Sequence, residues 1–291
     1  MRIIALATGA GVPAGDFAGR VAELHARAAL LKLSDGPCIT LLAGELGRQP
    51  RGISLDLPEG ISLRQFVSAI AECAKRGGIV RFAGSSLRVD LRSARPWRSG
   101  INALHFDGRS PATARAYRTA RSALERDGRA QGFRGMAGAR LESLSAAIKT
   151  RDIAAGERAA ADLIGLGEGK TPAGDDYLVG VYAALWSCSS ARAFAETLAP
   201  KLIALTARTS DLSALYLREA ASGEVSERLA DVAAGICAGG SDDVVANAVA
   251  KALSVGHSSG AAGIFGLLKG YADCAETPFQ ANADSVLAPA F

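Results

Sequence analysis

The hydrophobic pattern of this chain changes near residue 108, and this change constrains the fold more than any other feature of the sequence. Before it, short runs of Val, Ile and Leu are separated by Gly, Pro and Ser, which is typical of strands and turns. After it, apolar residues recur every three or four positions, as they do in amphipathic helices. We therefore predict an α+β protein, with a β-rich N-terminal domain at 1–107 and a mainly α-helical C-terminal domain at 108–291.

Most of the first domain has the composition of short strands. The last two candidate strands flank a Gly-Ser-Ser turn and are predicted to form a hairpin. Residues 62–75 have helical spacing and predict a helix. Residues 18–33 are rich in Ala but lie between strands, so that a helix and a strand both remain open. The predicted strands are the start of the chain within 1–11, Cys38–Leu42, Ile53–Leu57, Ile79–Phe82 and Leu87–Leu91.

The second domain begins with a strong helix start at Ser110-Pro111, because a Ser hydroxyl can cap free amides and Pro suits the first helical position. Asp152, Ser210 and Ser241 are further predicted caps. The remaining helices are predicted at 137–149, 152–164, 175–188, 191–207, 210–222, 225–238, 242–255 and 261–273.

Charge and composition narrow the choice of partner. The net charge is +4, and basic and aromatic residues are not interleaved, which argues against a nucleic-acid partner. The most apolar later stretch, 177–186, is too short to cross a bilayer, so no membrane partner is expected. The five cysteines include no CxxC pair, which favours reduced thiols in a cytoplasmic protein. Small anionic substrates suit such a mildly basic chain.

Residues 165–176 form the most informative stretch of the sequence. Glycines let a backbone approach a ligand closely. The amides of such a loop, together with the N-terminus of the helix predicted to begin near Asp175, would form an anion site. Lys170 would add a charge and Thr171 a hydroxyl. The candidate ligand-binding residues of this stretch are Gly165, Gly167, Gly169, Lys170, Thr171 and Gly174.

This stretch differs from the known nucleotide-binding loops. A P-loop needs a glycine five positions before its Gly-Lys pair, and Ile164 stands there. The dinucleotide fingerprint lacks its third glycine at the required spacing. A structural explanation remains open, in which the glycines allow a tight connection between two helices and Asp175 and Asp176 cap the second helix.

Two further clusters carry polar groups between helices. Residues 256–260 place His257 between hydroxyls and glycines, where an imidazole can move a proton or stabilise an oxyanion. A structural role, with His257 capping one helix and Ser258 the next, is equally compatible with the pattern. Residues 209–211 precede another predicted helix, and for them capping by Ser210 is the favoured interpretation.

In order and spacing, these three segments resemble the AllH-type subunit of oxamate carbamoyltransferase, a bacterial family. The likeness is most specific in the glycine loop, the helix after Ser210 and the 256–260 turn. A looser likeness at 19–25 and 94–97 extends the resemblance over most of residues 20–270. Two residues depart from the family pattern: Lys170 stands where the family commonly has Leu, and Glu168 where it often has a small residue or Pro.

The resemblance implies a reaction and partners. The family interconverts oxalurate plus phosphate with oxamate plus carbamoyl phosphate, in allantoin and purine degradation, together with two other subunits. Phosphate and oxamate are small anions that suit amide-lined loops. Carbamoyl transfer also passes through a tetrahedral oxyanion, which requires fixed hydrogen-bond donors. A lysine beside the anion site would strengthen phosphate binding or mark a shifted substrate.

From these observations we assign roles as a hypothesis. Loop glycines and Thr171 hold phosphate or carboxylate, one of the two aspartates orients the carbamoyl nitrogen or moves protons, and His257 polarises the carbonyl. No metal cluster is evident, although the aspartate pair could hold Mg²⁺ at an outer position. The catalytic candidates are Asp175, Asp176, His257 and Ser258, and the binding residues outside the loop are Ser210, Ser259 and Gly260.

Two functions from other classes stay open at this point. One is a non-catalytic subunit that binds an anionic metabolite and supports assembly. The other is a component of a ligase or kinase that uses ATP or an acyl phosphate. Titration of the isolated chain with carbamoyl phosphate, oxamate and ATP would separate these functions. Binding of ATP alone would favour the ligase or kinase component, and binding of none of the three would favour the scaffold.

Overall fold

The structure is a computed structural model, and it describes residues 1–254, 256 and 258–275. The chain divides into two compact units, one ending at Ser99 and the other beginning at Gly100. The sequence pattern had assigned residues 100–107 to the first domain. In the structure they lie in the helical unit, because Ile101 and Phe106 are buried in its hydrophobic core.

The first unit is a single mixed sheet, with antiparallel and parallel strand pairs, that closes on itself. Its strands follow the order β5-β4-β3-β2-β6-β7-β8-β1, and β1 pairs with β5 to complete the ring, while β9 adds to β1. Side chains alternate between a buried interior and an exposed exterior, as Ile3 and Ile4 do in β1. The strands are β1 Arg2–Gly9, β2 Phe17–Leu24, β3 Ala28–Leu33, β4 Ile39–Ala43, β5 Gly52–Leu55, β6 Glu72–Arg76, β7 Ile79–Phe82, β8 Arg88–Asp90 and β9 Arg95–Trp97.

All five predicted strands of the first domain are present, and the predicted hairpin is confirmed because β7 and β8 pair antiparallel. Residues 18–33, which the pattern left open, form the antiparallel strands β2 and β3. The helix predicted at 62–75 is wrong. A capping box between Ser62 and Gln65 starts only a short 3₁₀ turn. The segment then enters the sheet as β6, whose pairing with β2 and β7 outweighs a local helical preference.

The second unit is helical, which confirms the α+β class. Each predicted helix is present, with ends that differ by a few residues. Within the described residues, no helix combines the length and apolar character needed to cross a membrane. The helices are α1 Pro111–Asp127, α2 Ala130–Thr150, α3 Ile153–Leu163, α4 Ala173–Ser187, α5 Arg192–Leu205, α6 Asp211–Ala221, α7 Glu227–Cys237, α8 Asp242–Leu253 and α9 Ser259–Cys274.

Most of the predicted helix caps are formed. The side chains of Ser110, Asp152 and Ser210 each accept a hydrogen bond from the amide three positions later. Ser241 occupies the predicted N-cap position of α8, but its side chain makes no cap hydrogen bond there.

Helices α4 and α9 pack backbone against backbone along most of their length. A Cβ on Gly180 would lie 1.9 Å from the carbonyl oxygen of Gly263, so the helices approach as closely as glycine allows. Further along, Gly270 lies against Ala184. Contacts therefore advance along both helices in the same direction, which means that α4 and α9 run parallel. Their N-termini consequently lie at the same end of the helical unit.

Candidate functional site

The glycine-rich stretch forms the loop between α3 and α4. Gly165, Gly167 and Gly169 have φ angles of +76°, +115° and +90°, in the region that favours glycine. At Gly167 a Cβ would also lie 2.9 Å from the amide nitrogen of Ala173, so the turn is tight as well as left-handed. Gly169, by contrast, has open space where a Cβ would be, and it lies on the exposed side of the loop.

Asp175 fastens this loop to the segment before α6. One of its carboxylate oxygens accepts a hydrogen bond from the Gly165 amide at 2.8 Å, and the other accepts one from the Thr209 hydroxyl at 2.5 Å. The residue is only 1% exposed. Both oxygens are therefore engaged in holding the loop, and the catalytic role that the sequence suggested for Asp175 stays a prediction. Sequence reasoning missed Thr209, since nothing local indicates a carboxylate 34 residues away.

Ser210 makes a second connection between the loop and α6. Its hydroxyl donates to the carbonyl of Lys170 at 2.5 Å and accepts from the amide of Ser213 at 3.1 Å. The cap favoured by the sequence is thus formed, and it holds the loop backbone as well. Lys170 itself is exposed at the tip of the loop.

Thr171 and Ser259 bring the two parallel helices together at their N-termini. Their hydroxyl oxygens lie 2.7 Å apart. At the start of α9, the amide of Ala262 donates to the carbonyl of Ser258. Neither Ser258 nor Pro172 caps its helix with a side chain. The positive ends of two helix dipoles therefore lie at this point. In α4, however, the amides of Gly174 and Asp175 already donate to the carbonyls of Leu166 and Pro172.

Asp176 stands beside this pair of hydroxyls. Its carboxyl group is hydrogen-bonded to the side chain of Ser259, while the Oδ2 atom is buried and has no hydrogen-bond partner among the described residues. Burial raises the pKa of Asp176 to about 7, the Ser259 hydrogen bond partly opposes that rise, and the charge of Asp175 adds to it. The group can therefore hold or release a proton near neutral pH.

Three of these side chains form one hydrogen-bonded chain. A hydroxyl has a single proton to donate. When Ser259 donates to the ionised carboxylate of Asp176, the contact with Thr171 requires Thr171 to donate to Ser259. When the carboxyl is protonated, the directions can reverse. The protonation state of Asp176 is therefore linked to the direction of the hydrogen bond between the hydroxyls of Thr171 and Ser259.

Two glycines named as binding residues have a visible packing role. A Cβ on Gly174 would lie 2.0 Å from the carbonyl oxygen of Leu163, and one on Gly260 would lie 2.0 Å from that of Ala252. The structural explanation considered from the sequence therefore applies to both positions. Ser258 is partly buried at the start of α9. His257 lies outside the described residues, so its assigned role stays a prediction.

Within the described ranges, no group of three or more His, Cys, Asp and Glu side chains is placed to hold a metal ion. Of the four carboxylate oxygens that Asp175 and Asp176 offer, both from Asp175 are already bonded within the protein. The pair thus presents only Asp176 as a ligand for an outer-sphere Mg²⁺ ion.

One of three comparisons with known proteins finds a similarity that covers the site. Neither a search of curated proteins nor a search of solved structures found a match. A family model does match, over a segment that contains the loop, α4, α6 and the start of α9. Residues 163–271 match the family described as oxamate carbamoyltransferase subunit AllH, which confirms the resemblance predicted from the sequence over these residues.

Proposed function

We propose that this chain is a carbamoyltransferase subunit that interconverts oxalurate plus phosphate with oxamate plus carbamoyl phosphate. The family match supports this class of activity, since the matched segment contains every described residue of the candidate site. The proposed reaction belongs to ureide degradation, and the chain acts in it with two other subunits. The substrates are small anions throughout.

The observation that carries the proposal is the meeting of two helix N-termini at Thr171 and Ser259, 2.7 Å apart. Free amides at a helix N-terminus bind phosphate and carboxylate, and the helix dipole favours negative charge there. The dipoles of two parallel helices act at this one point. The hydroxyls of both residues add donors, and the exposed Lys170 adds a positive charge nearby in sequence.

Asp176 supplies the proton transfer that the chemistry needs. In the synthetic direction the amide nitrogen of oxamate attacks the carbamoyl carbon, the C–N bond forms, the C–O bond to phosphate breaks, and nitrogen loses a proton that phosphate gains. A carboxyl with a pKa of about 7 can take that proton and return it to the leaving phosphate. Its Oδ2 atom is buried and has no hydrogen-bond partner among the described residues, so it is available for this task.

Turnover in the assembled complex tests the proposal. The chain would be mixed with its partner subunits, oxalurate and phosphate, and the formation of carbamoyl phosphate would be followed. Asp176→Asn keeps the shape of the side chain but cannot exchange a proton, and we expect it to lower kcat by about a hundredfold or more. Near-normal turnover in Asp176→Asn would remove the assigned role. His257→Ala tests the remaining catalytic candidate in the same assay.

Binding to the isolated chain separates catalysis from scaffolding. Isothermal titration with carbamoyl phosphate, oxamate and ATP would be performed in the presence of Mg²⁺ and again with EDTA. Binding of the first two supports the proposal, and a change on removal of Mg²⁺ would assign the ion to Asp176. Binding of ATP alone would favour a ligase component, and binding of none would favour a scaffold.

A further inference from the structure

The outer face of the closed sheet in the first unit carries a groove that the proposed reaction does not use. The groove has a volume of about 780 Å³ and crosses strands β3, β2, β6 and β7. Its floor consists of small side chains, among them Ala18 and Ala74, which face each other in register on β2 and β6. The walls are built from longer, charged side chains.

Like charges face each other at both ends of this floor. On one side Arg20 of β2 lies directly opposite Lys32 of β3. On the other side Arg81 of β7 lies opposite Arg88 of β8, just beyond the groove. All four residues are exposed. Like charges placed directly opposite in a sheet destabilise it, so two such pairs on one face need an explanation.

The arginines of this face are not neutralised from within the chain. Arg20, Arg81 and Arg88 form no ion pair with any other described residue. Glu72 lies opposite Arg20 on β6 without pairing with it. The groove face therefore has these three arginines against one glutamate, and the charge of the arginines is available to a partner.

The rim also has an apolar residue out of place. Ile70 lines the groove and is 83% exposed, the largest exposure of any described large hydrophobic residue. Isolated apolar side chains are common on surfaces, but one at the edge of a charged groove suits contact with another protein. A free small anion would make no favourable contact with this apolar side chain.

We propose that this groove binds an extended acidic segment of another protein chain, namely one of the partner subunits. The claim that this segment belongs to a partner subunit rests on the proposed function. Arg20 and Arg81 are two strands apart and also two residues apart along the strand direction, because Arg81 lies opposite Ala74 and Ala74 lies opposite Ala18. Their Cα atoms are therefore roughly 12 Å apart at the usual spacings, a gap that their long side chains can shorten. In an extended polyproline II segment, every third side chain points to the same side, at intervals of roughly 9 Å. Acidic residues at every third position would therefore meet the two arginines in turn.

A designed peptide tests the recognition independently of any activity. The probe is a fluorescein-labelled peptide of Glu-Pro-Pro repeats, and the full-length chain is titrated against it by fluorescence anisotropy at low and high salt. A peptide of Gln-Pro-Pro repeats is the matched ligand control. We expect binding that weakens with salt and that falls by about tenfold or more with the Gln peptide, because the attraction is electrostatic.

Charge reversal locates the binding to the groove. The double variant Arg20→Glu, Arg81→Glu should weaken peptide binding by about tenfold or more. Arg140→Glu, on the exposed face of α2, makes the same type of change on another surface and should leave binding unaltered. A milder double variant, Arg20→Gln with Arg81→Gln, covers the case in which charge reversal disturbs the sheet. Circular dichroism checks the fold of each.

The outcomes distinguish this inference from the proposed function. In the complex, the groove variant should raise the partner-subunit concentration needed for half-maximal turnover while leaving kcat unchanged at saturation. Equal peptide binding by the variants and the parent chain, or displacement of the peptide by millimolar inorganic phosphate alone, would overturn the inference. Absence of all turnover in the parent complex would defeat the proposed function and leave the peptide result standing.

Discussion

Gly266 of α9 packs against Tyr177 of α4 so closely that a Cβ on the glycine would lie 2.0 Å from the tyrosine carbonyl oxygen. Gly266 lies midway along α9, whereas Tyr177 directly follows Asp176 near the N-terminal end of α4. The separation of the helix axes there depends on the absence of a side chain. The close packing of α4 against α9 is thus directly connected to the site.

Gly266→Ala should destabilise the helical unit. The added methyl group meets backbone rather than a flexible side chain, and overpacking of this kind costs about 1–3 kcal/mol or more. Gly135→Ala is the matched control, since a Cβ there has nothing within 4 Å and Ala favours a helix by about 0.5–1 kcal/mol. Urea unfolding of both variants measures the difference. Equal stability of the two would contradict the close packing of α4 and α9.

Thr209→Val should loosen the glycine loop. It removes the hydroxyl that donates to the buried carboxylate of Asp175, and a hydrogen bond to a charged group contributes about 2 kcal/mol. Thr197→Val serves as control, because that hydroxyl bonds only to a carbonyl on the exposed face of α5. Hydrogen exchange at the Gly165 amide should accelerate in the first variant alone. Unchanged protection of that amide would argue against a role of the Thr209–Asp175 hydrogen bond in holding the loop.

Asp176 should make the stability of the chain fall as pH rises toward neutrality. Its folded pKa of about 7 lies above the ordinary value of 3.8, so the folded state binds the proton more tightly than the unfolded state. The stabilisation from the protonated group is complete below about pH 4 and is lost as pH rises through 7. A shift of this size corresponds to a few kcal/mol, on the order of 1.4 kcal/mol for each pKa unit.

Asp176→Asn removes this dependence. The variant should be more stable than the parent at pH 8 and should show a flatter profile between pH 4 and pH 8, because the amide has no charge to bury. Urea unfolding at pH 5, 6, 7 and 8 measures both profiles. Parallel profiles for variant and parent would mean that the carboxyl titrates in its ordinary range.

Ser259→Ala should weaken the binding of phosphate and of carbamoyl phosphate. The change removes a hydroxyl at the point where α4 and α9 converge, and loss of one hydrogen bond to an anion lowers affinity by about tenfold. Ser254→Ala is the control, because that exposed hydroxyl bonds to a carbonyl at the end of α8. Isothermal titration with both ligands gives the affinities. Equal affinity in the two variants would indicate that the anion binds at another site.

The sequence by itself determined the elements whose signals are local. Short apolar runs between turn residues predicted β4, β5, β7 and β8, and the Ser-Pro pair at 110–111 predicted the start of α1. Both signals are local, because turn chemistry and capping depend on neighbouring residues. The loop at 165–171 was also readable as a glycine turn, since a residue without a Cβ is needed for positive φ.

Only the tertiary structure decided which residues meet. The segment at 62–75 has helical spacing, yet β6 forms because two neighbouring strands supply hydrogen bonds that no local pattern reports. Likewise, Asp175 and Asp176 are adjacent in sequence but have different surroundings. Gly165 and Thr209 donate hydrogen bonds to the carboxylate of Asp175. The carboxyl of Asp176 is hydrogen-bonded to Ser259 and has one buried oxygen without a partner among the described residues. Burial and long-range hydrogen bonding, which set a carboxylate's pKa, are properties of the packed chain.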